Sequence, residues 1–391
     1  MPRLITVLLN VGHTLDHLFL LIFAAAVAAI AQDFGSARWE DLMPYTTGAF
    51  VMFGLASVPA GRLGDLWGRR RMMLLFFFGI GAAAGAVACA QTAWQLALAL
   101  SVMGIFASIY HPVGIPMLLQ SATRPGLTIG INGLSGNLGI ALAALSTGLL
   151  VKYLGWRAAF IVPGLVSIAC GLLFARYAPP ETIAPARKSS SKARLPRRLA
   201  IRVFVVMVAS ATTGSLLFNL TTNGNAQLIV ERLDGLIQDP AVLGVLLAGI
   251  YAVASLAQVV VGRLLDHYPI KPMFIGIVGA QIVLFLAAVH STGWAWYGLA
   301  ILYMISIFAV IPFNDTMVVR YIDDSMRSRV SGVRLAISFG ISSLAVLLLG
   351  PLVKMNGFSA LLIMLAALAS VTLFIVFWLP AQATLDAHST A

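Results

Sequence analysis

Long apolar segments alternate with short polar turns along the whole chain. Runs long enough to cross a hydrocarbon core about 30 Å thick recur from one end of the sequence to the other. Because a membrane-spanning segment must satisfy its backbone hydrogen bonds internally, such runs predict helices. The hydropathy pattern predicts twelve of them, over 4–31, 43–61, 72–90, 94–120, 127–152, 156–177, 201–230, 241–262, 271–290, 294–319, 328–353 and 357–379.

The composition is that of a membrane protein. Hydrophobic residues make up 60% of the 391 positions and charged residues only 10%, against about a quarter charged in soluble domains. The two cysteines, Cys89 and Cys170, fall inside apolar runs, which predicts packing and not a disulfide or a metal pair. No short apolar core followed by a cleavage site opens the chain, so we expect the first helix to be retained.

The basic residues are distributed unevenly between the two sides of the predicted bundle. Most of the 25 lysines and arginines fall on one side, and the other side carries only Arg38, Lys152, Arg157, Arg232 and Lys354. The positive-inside rule therefore predicts that both termini are cytoplasmic. The net charge of +11 is then explained by topology. We accordingly expect the lipid bilayer, and no nucleic acid, as the surroundings of these charges.

The sequence repeats itself at half-chain spacing. Asp65 and Asp266 lie in two versions of one charged turn, and Pro112 and Pro312 are separated by nearly the same number of residues. Between them, a stretch rich in proline, serine and basic residues interrupts the apolar pattern, as expected of a flexible linker. We therefore predict an N-terminal six-helix bundle over 1–177, a cytoplasmic linker over 178–200, and a C-terminal six-helix bundle with a short cytoplasmic tail over 201–391.

The first version of the charged turn matches a family signature. In the major facilitator superfamily the loop between the second and third helices reads Gly-x-Leu-x-Asp-x-x-Gly-Arg-Arg/Lys. This chain supplies every defining position, namely Gly61, Leu63, Asp65, Gly68, Arg69 and Arg70. The chain resembles that family over essentially its whole length. The resemblance implies an all-α membrane protein with twelve transmembrane helices in two pseudo-symmetric six-helix bundles, and a substrate site between them near the membrane midplane.

The resemblance also implies that the charged turn acts in gating. Asp65 would pair with a nearby arginine and with the start of the eleventh helix, forming a latch that keeps the cytoplasmic side shut. The second copy of the turn keeps the aspartate but has lost the Gly-Arg-Arg end. A basic loop that only fixes topology is the alternative. The candidate gating residues are Gly61, Asp65, Gly68, Arg69, Arg70 and Asp266.

Two further segments are similar to parts of efflux proteins. Gly130, Gly133, Gly136 and Gly139 recur at steps of three in the fifth helix, which gives a smooth face for tight packing. This pattern is similar to the glycine-rich fifth helix of antiporters in the superfamily, although it lacks their Gly-Pro pair, and plain helix packing is the alternative. The His-Pro-Val-Gly segment beginning at His111 is similar to the fosmidomycin-resistance-type branch of drug and metabolite efflux proteins.

Ionisable residues lie inside the apolar helices, where a charge is costly unless it faces a cavity or a partner. His13, Asp16 and His17 share one face of the first helix, and His111 in the fourth helix is expected at the same depth. We interpret the four as a proton-coupling cluster, because imidazole exchanges protons near neutral pH. A static Asp–His pair and a metal site are the alternatives. The metal is less favoured, because only two of the histidines have helical ligand spacing.

Amide side chains in the seventh helix are candidates for substrate contact. Asn219, Asn223 and Gln227 stand at successive four-residue steps on one face, in the helix that corresponds to the first helix of the other half. Tyr110, beside the His-Pro segment, and Asn137, in the glycine-rich helix, are further candidates. Hydrogen bonding between helices is the alternative role for these amides.

Together these features predict a secondary active transporter that works by rocker-switch alternating access. Proton-coupled export of a drug or metabolite is favoured. Proton-coupled uptake of a small metabolite or organic anion is the main alternative, and a non-transporting sensor or scaffold is a remote one. The sequence has no nucleotide-binding loop and no His-Glu-x-x-His motif, so we expect neither an enzyme nor a cofactor. We expect a monomer in the bacterial inner membrane, with protons and a small-molecule substrate as partners.

Overall fold

The computed structural model describes residues 3–119, 125–179, 196–265, 267–321 and 324–380. Over these ranges the chain is helical and contains no β-strand, which confirms the predicted all-α class. Its long helices, within the same ranges, are α1 (Arg3–Asp33), α2 (Thr47–Trp67), α3 (Arg69–Ala88), α4 (Ala93–Leu119), α5 (Pro125–Leu154), α6 (Trp156–Tyr177), α7 (Arg197–Arg232), α8 (Pro240–Leu265), α9 (Ile270–Ala288), α10 (Gly293–Tyr321), and α11 and α12, which together span Asp324–Phe377.

Glycines with positive φ separate two pairs of consecutive helices. Gly68 has φ 93° and ψ 142° and divides α2 from α3, and Gly357 has φ 74° and ψ 174° and divides α11 from α12. Residues with a Cβ adopt such a backbone only with strain, so glycine allows the chain to reverse within one residue. The predicted break between the last two helices is therefore confirmed.

The prediction of a second helix over 43–61 is wrong at both ends. A 3₁₀ turn at Met43–Thr46 precedes α2, and the helix then continues through the charged turn to Trp67. Hydropathy detects only the apolar part of a helix. Because Arg62 and Asp65 are polar, the pattern ended too early.

The fourth helix is interrupted where proline enters it. Regular α-helix gives way at Ala107, a π-helical turn occupies Tyr110–Gly114, and α-helix resumes at Ile115. Pro112 lies in the π turn, where its missing N–H and its ring exclude regular α-helical hydrogen bonding. The prediction of an uninterrupted helix over 94–120 is corrected accordingly. The π turn changes the direction in which the residues around His111 face.

In the part of the chain that the structure describes, ten helices are long and apolar enough to cross a membrane. One of them, Val333–Phe377, includes both α11 and α12, and α2, with Arg62 and Asp65 near its end, is not among the ten. The chain is thus an integral membrane protein.

Each half packs its own helices together, and the halves meet along two interfaces. Within the N-terminal half α1 packs on α5, α2 on α4 and α3 on α6. The halves meet where α5 packs on α8 and where α2 packs on α11. Since α2 corresponds to α8 and α5 to α11 in the repeat, the two interfaces are pseudo-symmetric copies of each other. Gly148 and Gly244 let the backbones of α5 and α8 touch, since a Cβ on Gly148 would lie 2.7 Å from the Pro240 carbonyl oxygen. Most of the predicted linker, residues 180–195, lies outside the described ranges.

Two ion pairs join the halves at the end of the bundle opposite to the linker, which we call the far end. Lys152, in the last turn of α5, pairs with Asp239 just before α8. Lys354, near the end of α11, pairs with Asp41 just before α2. The hydrogen bond from Lys152 lowers the pKa of the Asp239 carboxyl below its usual value. The two pairs are equivalent under exchange of the halves, so the far end is closed in a pseudo-symmetric way.

Candidate functional site

The predicted cluster of ionisable residues is assembled between α1 and α4. His13, Asp16 and His17 face α4 from successive turns of α1, and the π turn of α4 presents His111 to them. His111 Nε2 lies 3.4 Å from an Asp16 carboxylate oxygen. The His111 ring centroid lies 5.0 Å from that of His13 and 5.7 Å from that of His17. The expectation that α1 and α4 bring these groups to one depth is confirmed, whereas their role stays a prediction.

Asp16 is completely buried, with no exposed surface. Among the described residues, neither of its carboxylate oxygens receives a hydrogen bond, and its ionic contact is with His111. A buried carboxylate without donors is costly unless a proton or another cation neutralises it. The site is therefore built to hold a positive charge next to Asp16.

Asn132 of α5 links the cluster to its surroundings. Its backbone oxygen lies 2.7 Å from His13 Nδ1, and its amide donates to Asn10 Oδ1 at 2.9 Å and to the Tyr110 hydroxyl at 2.7 Å. Tyr110 in turn donates to the Leu9 carbonyl at 2.7 Å. Sequence reasoning missed Asn132 and Asn10 as site residues. Helical periodicity could have identified Asn10, because it precedes His13 by about one turn of the same helix. The contact of Asn132 with the cluster depends on the rotation of α5 about its axis, which periodicity does not give.

The contact with Asn132 fixes the hydrogen on the His13 ring. A backbone carbonyl only accepts hydrogen bonds, so His13 Nδ1 must carry the hydrogen. The neutral ring then has a lone pair on Nε2, and this atom lies 3.2 Å from His17 Nε2. The two rings can thus share one proton between them. His17 and His111 are half-buried, which gives solvent protons access to the buried members of the cluster.

Two of the four regularly spaced glycines in α5 make room for the cluster. A Cβ on Gly136 would lie 2.6 Å from the His13 ring, and a Cβ on Gly139 would lie 2.2 Å from the Thr14 carbonyl oxygen. By contrast, a Cβ on Gly133 would make only an ordinary contact with Gln258, and one on Gly130 would meet nothing within 4 Å. The predicted tight packing is confirmed at Gly136 and Gly139, and α1 is the helix that they contact.

The candidate substrate residues fall into two separate groups. Asn219, Asn223 and Gln227 are buried in α7, and the first two donate hydrogen bonds to carbonyl oxygens of their own helix. Gln227 lines a cavity of about 540 Å³ at the far end, together with residues such as Trp39 and Phe358. This cavity is bordered by both halves of the chain. The α7 row therefore leads from the interior of the bundle toward the far end.

The other two substrate candidates belong to the N-terminal half. Tyr110 is fully buried, and its hydroxyl is engaged by Asn132 and Leu9. Asn137 is buried as well, and its amide nitrogen has no hydrogen-bond partner among the residues described. Tyr110 thus supports the architecture of the cluster, while Asn137 has a free donor for a ligand.

The C-terminal half contains a buried polar group that the sequence pattern did not reveal. Tyr303 donates to Asn225 Oδ1 at 3.1 Å, and Tyr251 donates to the Thr222 carbonyl at 3.3 Å. Asn225 lies off the α7 face formed by the four-residue steps, so periodicity did not select it. This group is built from tyrosine and asparagine side chains, and unlike the cluster between α1 and α4 it contains neither a carboxylate nor an imidazole.

The charged turn is attached to the helix that carries His111. A Cβ on Gly61 would lie 3.2 Å from Pro112, and one on Gly64 would lie 2.9 Å from Val113, so α2 lies directly against the π turn. The motif arginines bind helix ends within the same half: Arg69 donates to the Pro116 carbonyl at 3.2 Å, and Arg70 donates to the Ala175 and Ala178 carbonyls at 2.6 and 2.8 Å. The side chain of Asp65, and Asp266 altogether, lie outside what the structure describes.

Comparison with models of protein families identifies the family of this chain. The model described as Major Facilitator Superfamily matches residues 9–230, more than half of the chain. The chain belongs to the major facilitator superfamily. The relatives that it matches are named as resistance, export and efflux proteins, and not as enzymes.

Individual members of the superfamily are similar over different lengths. The puromycin resistance protein pur8 of Streptomyces alboniger is 30% identical over 139 residues, which cover 34% of this chain and 27% of that protein. The multidrug resistance protein MdtG of Proteus mirabilis is 23% identical over 352 residues and 86% of both chains. The chain spans less than a third of the length of pur8 and of two further exporters, but most of MdtG.

A solved structure supports the fold over the full length. The inward-facing, occupied crystal structure of a bacterial homologue of the human lysosomal transporter Spinster superposes with a TM-score of 0.73 at 16% identity. The superposition covers 98% of this chain and 95% of the other. At this level of identity the similarity concerns the fold alone.

Proposed function

We propose that this chain exports a small organic molecule in exchange for protons, by rocker-switch alternating access in a bacterial inner membrane. The observation that carries the proposal is the contact between His111 and the completely buried Asp16. Relatives named for drug resistance and export favour outward transport of an organic molecule. The distribution of basic residues favours cytoplasmic termini, so that the far end faces outward.

Protons are the coupling ion in this proposal because of what surrounds Asp16. The carboxylate has no donor among the described residues, so it needs a bound proton or a charged imidazole to remain buried. His13, His17 and His111 form a relay of imidazoles next to it, and two of them are half-buried. A change in water access between the two states of a cycle would then load and release a proton.

The substrate would be held between this cluster and the α7 row. Asn219, Asn223 and Gln227 offer amide groups without charge, and Asn137 offers a free amide nitrogen from the other half. Tyr110 would act indirectly, by fixing the position of Asn132 and the cluster. A site of this kind suits a largely apolar molecule with a few hydrogen-bonding groups.

The proposal predicts substrate-dependent proton movement. Purified protein in liposomes with an internal pH dye should move protons when a transported compound is added, starting with puromycin and a panel of organic cations and antibiotics as probes. Protein-free liposomes and liposomes made permeable by a protonophore are the controls. Transport of a probe without any proton movement would contradict the coupling. If no member of a broad panel stabilises the protein against heat or is transported, export of drug-like molecules is the wrong function.

Two opposing contacts would control the cycle. At the far end, the Lys152–Asp239 and Lys354–Asp41 pairs hold the halves together. At the linker end, the charged turn with Asp65 would latch onto α11, and Asp266 would serve the second copy of the turn. Gly61 lies against α4, and Arg69 and Arg70 donate to carbonyl oxygens of α4 and of the end of α6, while Gly68 lets the chain reverse within the turn. Because α2 lies against the π turn, movement of α2 when the latch opens would also shift the position of His111.

This gating scheme predicts opposite shifts from two aspartate substitutions. Asp239→Asn should open the far end, and Asp65→Asn should close it further, because each removes a contact from a different end. An exposed ion pair contributes about 0.2–1 kcal/mol, so the population ratio should change by about fivefold at most for Asp239→Asn. Spin labels at the exposed positions Leu154 and Leu236, on opposite halves at the far end, would report the distance distribution.

The control for this experiment is Asp33→Asn. Asp33 pairs with Arg157 at 2.8 Å within the N-terminal half, so its loss should leave the distance between the halves unchanged. Shifts in the same direction for Asp239→Asn and Asp65→Asn would contradict the scheme. An effect of Asp65→Asn on substrate affinity alone, without slower turnover, would contradict the latch.

A further inference from the structure

We propose that His13, His17 and His111 form a binding site for a divalent transition-metal ion of the zinc class. One ligand nitrogen from each ring lies within 4.8 Å of the others. The closest pair, His13 Nε2 and His17 Nε2, is 3.2 Å apart. Two nitrogens bound to one tetrahedral zinc at about 2.0–2.1 Å are about 3.3 Å apart. This pair therefore already has the spacing of two ligands of one ion.

The groups behind the histidines are those that accompany metal ligands. A metal-binding imidazole usually gives its second nitrogen to a carbonyl or a carboxylate, which fixes the ring and raises its basicity. His13 does so with the Asn132 carbonyl at 2.7 Å, which leaves its Nε2 lone pair directed at His17. His111 Nε2 faces an Asp16 carboxylate oxygen at 3.4 Å, in an ionic contact that takes the place of such a hydrogen bond. Both partners lie in the buried interior of the N-terminal half.

Asp16 supplies the charge that such an ion requires. It is completely buried and has no hydrogen-bond donor among the described residues. A dication bound by three neutral imidazoles carries its full charge into the membrane interior, and a carboxylate next to it offsets part of the cost. Asp16 thus acts as the counter-charge behind His111, or as a fourth ligand after a small rotation of its side chain.

The His111 ring needs to move only modestly to complete the three-nitrogen site. Shortening the widest separation from 4.8 Å to ligand spacing requires a displacement of about 1.5 Å. The His111 side chain is 21% exposed and sits in the π turn, so solvent and ions reach it. Three imidazole nitrogens favour zinc, cobalt, nickel or copper over the oxygen-seeking magnesium and calcium.

This inference goes beyond proton-coupled export and is tested without any transported substrate. An ion bound to the three imidazoles occupies the atoms that would otherwise accept protons, so metal and proton loading exclude each other. If no transport is found, the metal site is still tested by the binding experiments below. If no metal binds, the proposal of proton-coupled export still stands on its own test.

The first test uses the wild-type protein, purified without a histidine tag and treated with a chelator. Titration with Co²⁺ should give visible ligand-field absorption that saturates at one ion per chain, and Zn²⁺ should displace it. X-ray absorption of the zinc-loaded protein should show three imidazole nitrogens at about 2.0 Å. Binding that does not saturate near one ion, or a spectrum of oxygen ligands alone, would overturn the proposal.

The second test uses matched histidine variants. His17→Ala and His111→Ala should each weaken Co²⁺ binding by at least ~10-fold, and His290→Ala, which changes an exposed histidine at the far end, should not. Size-exclusion profiles and melting temperatures check that each variant folds. Equal affinity of His17→Ala, His111→Ala and His290→Ala would place the ion elsewhere and overturn the site. If a variant does not fold, the absorption measurement on wild-type protein still decides.

Discussion

Replacing Asp16 with asparagine should reduce substrate-dependent proton movement to the background of protein-free liposomes. Asparagine keeps the size and shape of aspartate but cannot bind and release a proton. In the native chain the carboxyl lies 3.4 Å from His111, completely buried and without other donors in the described part of the chain. If Asp16 carries the transported proton, its loss should uncouple or stop the cycle, whereas exchange of labelled substrate across the membrane should persist.

The same substitution should leave the protein folded. A buried carboxylate without donors is costly, so the neutral amide should be neutral or mildly stabilising in a thermal melt. A static Asp–His pair would behave in the opposite way, since loss of the charge would lower the melting temperature and leave coupling intact. The two roles of Asp16 are therefore separated by measuring both properties on one variant.

Asp33→Asn is the matched control for this experiment. Asp33 lies on the same helix and also has an ionic partner, Arg157, but it is at the far end and exposed. Proton movement should be normal in this variant. All measurements should be made with a chelator present, so that no metal ion occupies the neighbouring histidines. Normal proton coupling in Asp16→Asn would show that the coupling site lies elsewhere.

The local part of the site was predictable from the sequence because helical periodicity is local. His13, Asp16 and His17 must share a face if α1 is a helix, and the distances of Asp16 and His111 from their helix ends set a common depth. Their assembly needed no knowledge of how the other helices pack. The charged turn was equally informative, because its signature residues alone indicated the family to which the chain belongs.

The remaining features depend on packing between distant segments. Asn132 joins the cluster only because α5 presents that residue to α1, and nothing in the period of α5 distinguishes its faces. Tyr110 is a residue type that often contacts substrates, yet its hydroxyl donates to the Leu9 carbonyl within the N-terminal half. The hydropathy pattern predicted an uninterrupted fourth helix, so it gave neither the π turn around Pro112 nor the direction in which that turn presents His111. Rotation of helices about their own axes is thus the information that hydropathy lacks.

Gly139→Ala should be strongly destabilising, although it adds only one methyl group. The new Cβ would lie 2.2 Å from the Thr14 carbonyl oxygen and 3.0 Å from the Thr14 Cα, and these are backbone atoms that cannot rotate away. The α1 helix would have to move, which would also break the hydrogen bond from Thr14 Oγ1 to the Ser135 carbonyl at 2.8 Å. Overpacking of this kind costs about 3 kcal/mol, so the melting temperature should fall by several degrees.

Other glycines of the same helix provide graded controls. Gly130→Ala meets nothing within 4 Å and replaces glycine by a better helix former, so stability should be unchanged or rise by up to about 1 kcal/mol. Gly136→Ala should lie between the two, because its Cβ would meet the His13 ring, which can rotate at some cost to the cluster. This variant should fold yet lose proton coupling. Equal melting temperatures for Gly139→Ala and Gly130→Ala would contradict the packing of α5 against α1, on which the position of the whole cluster depends.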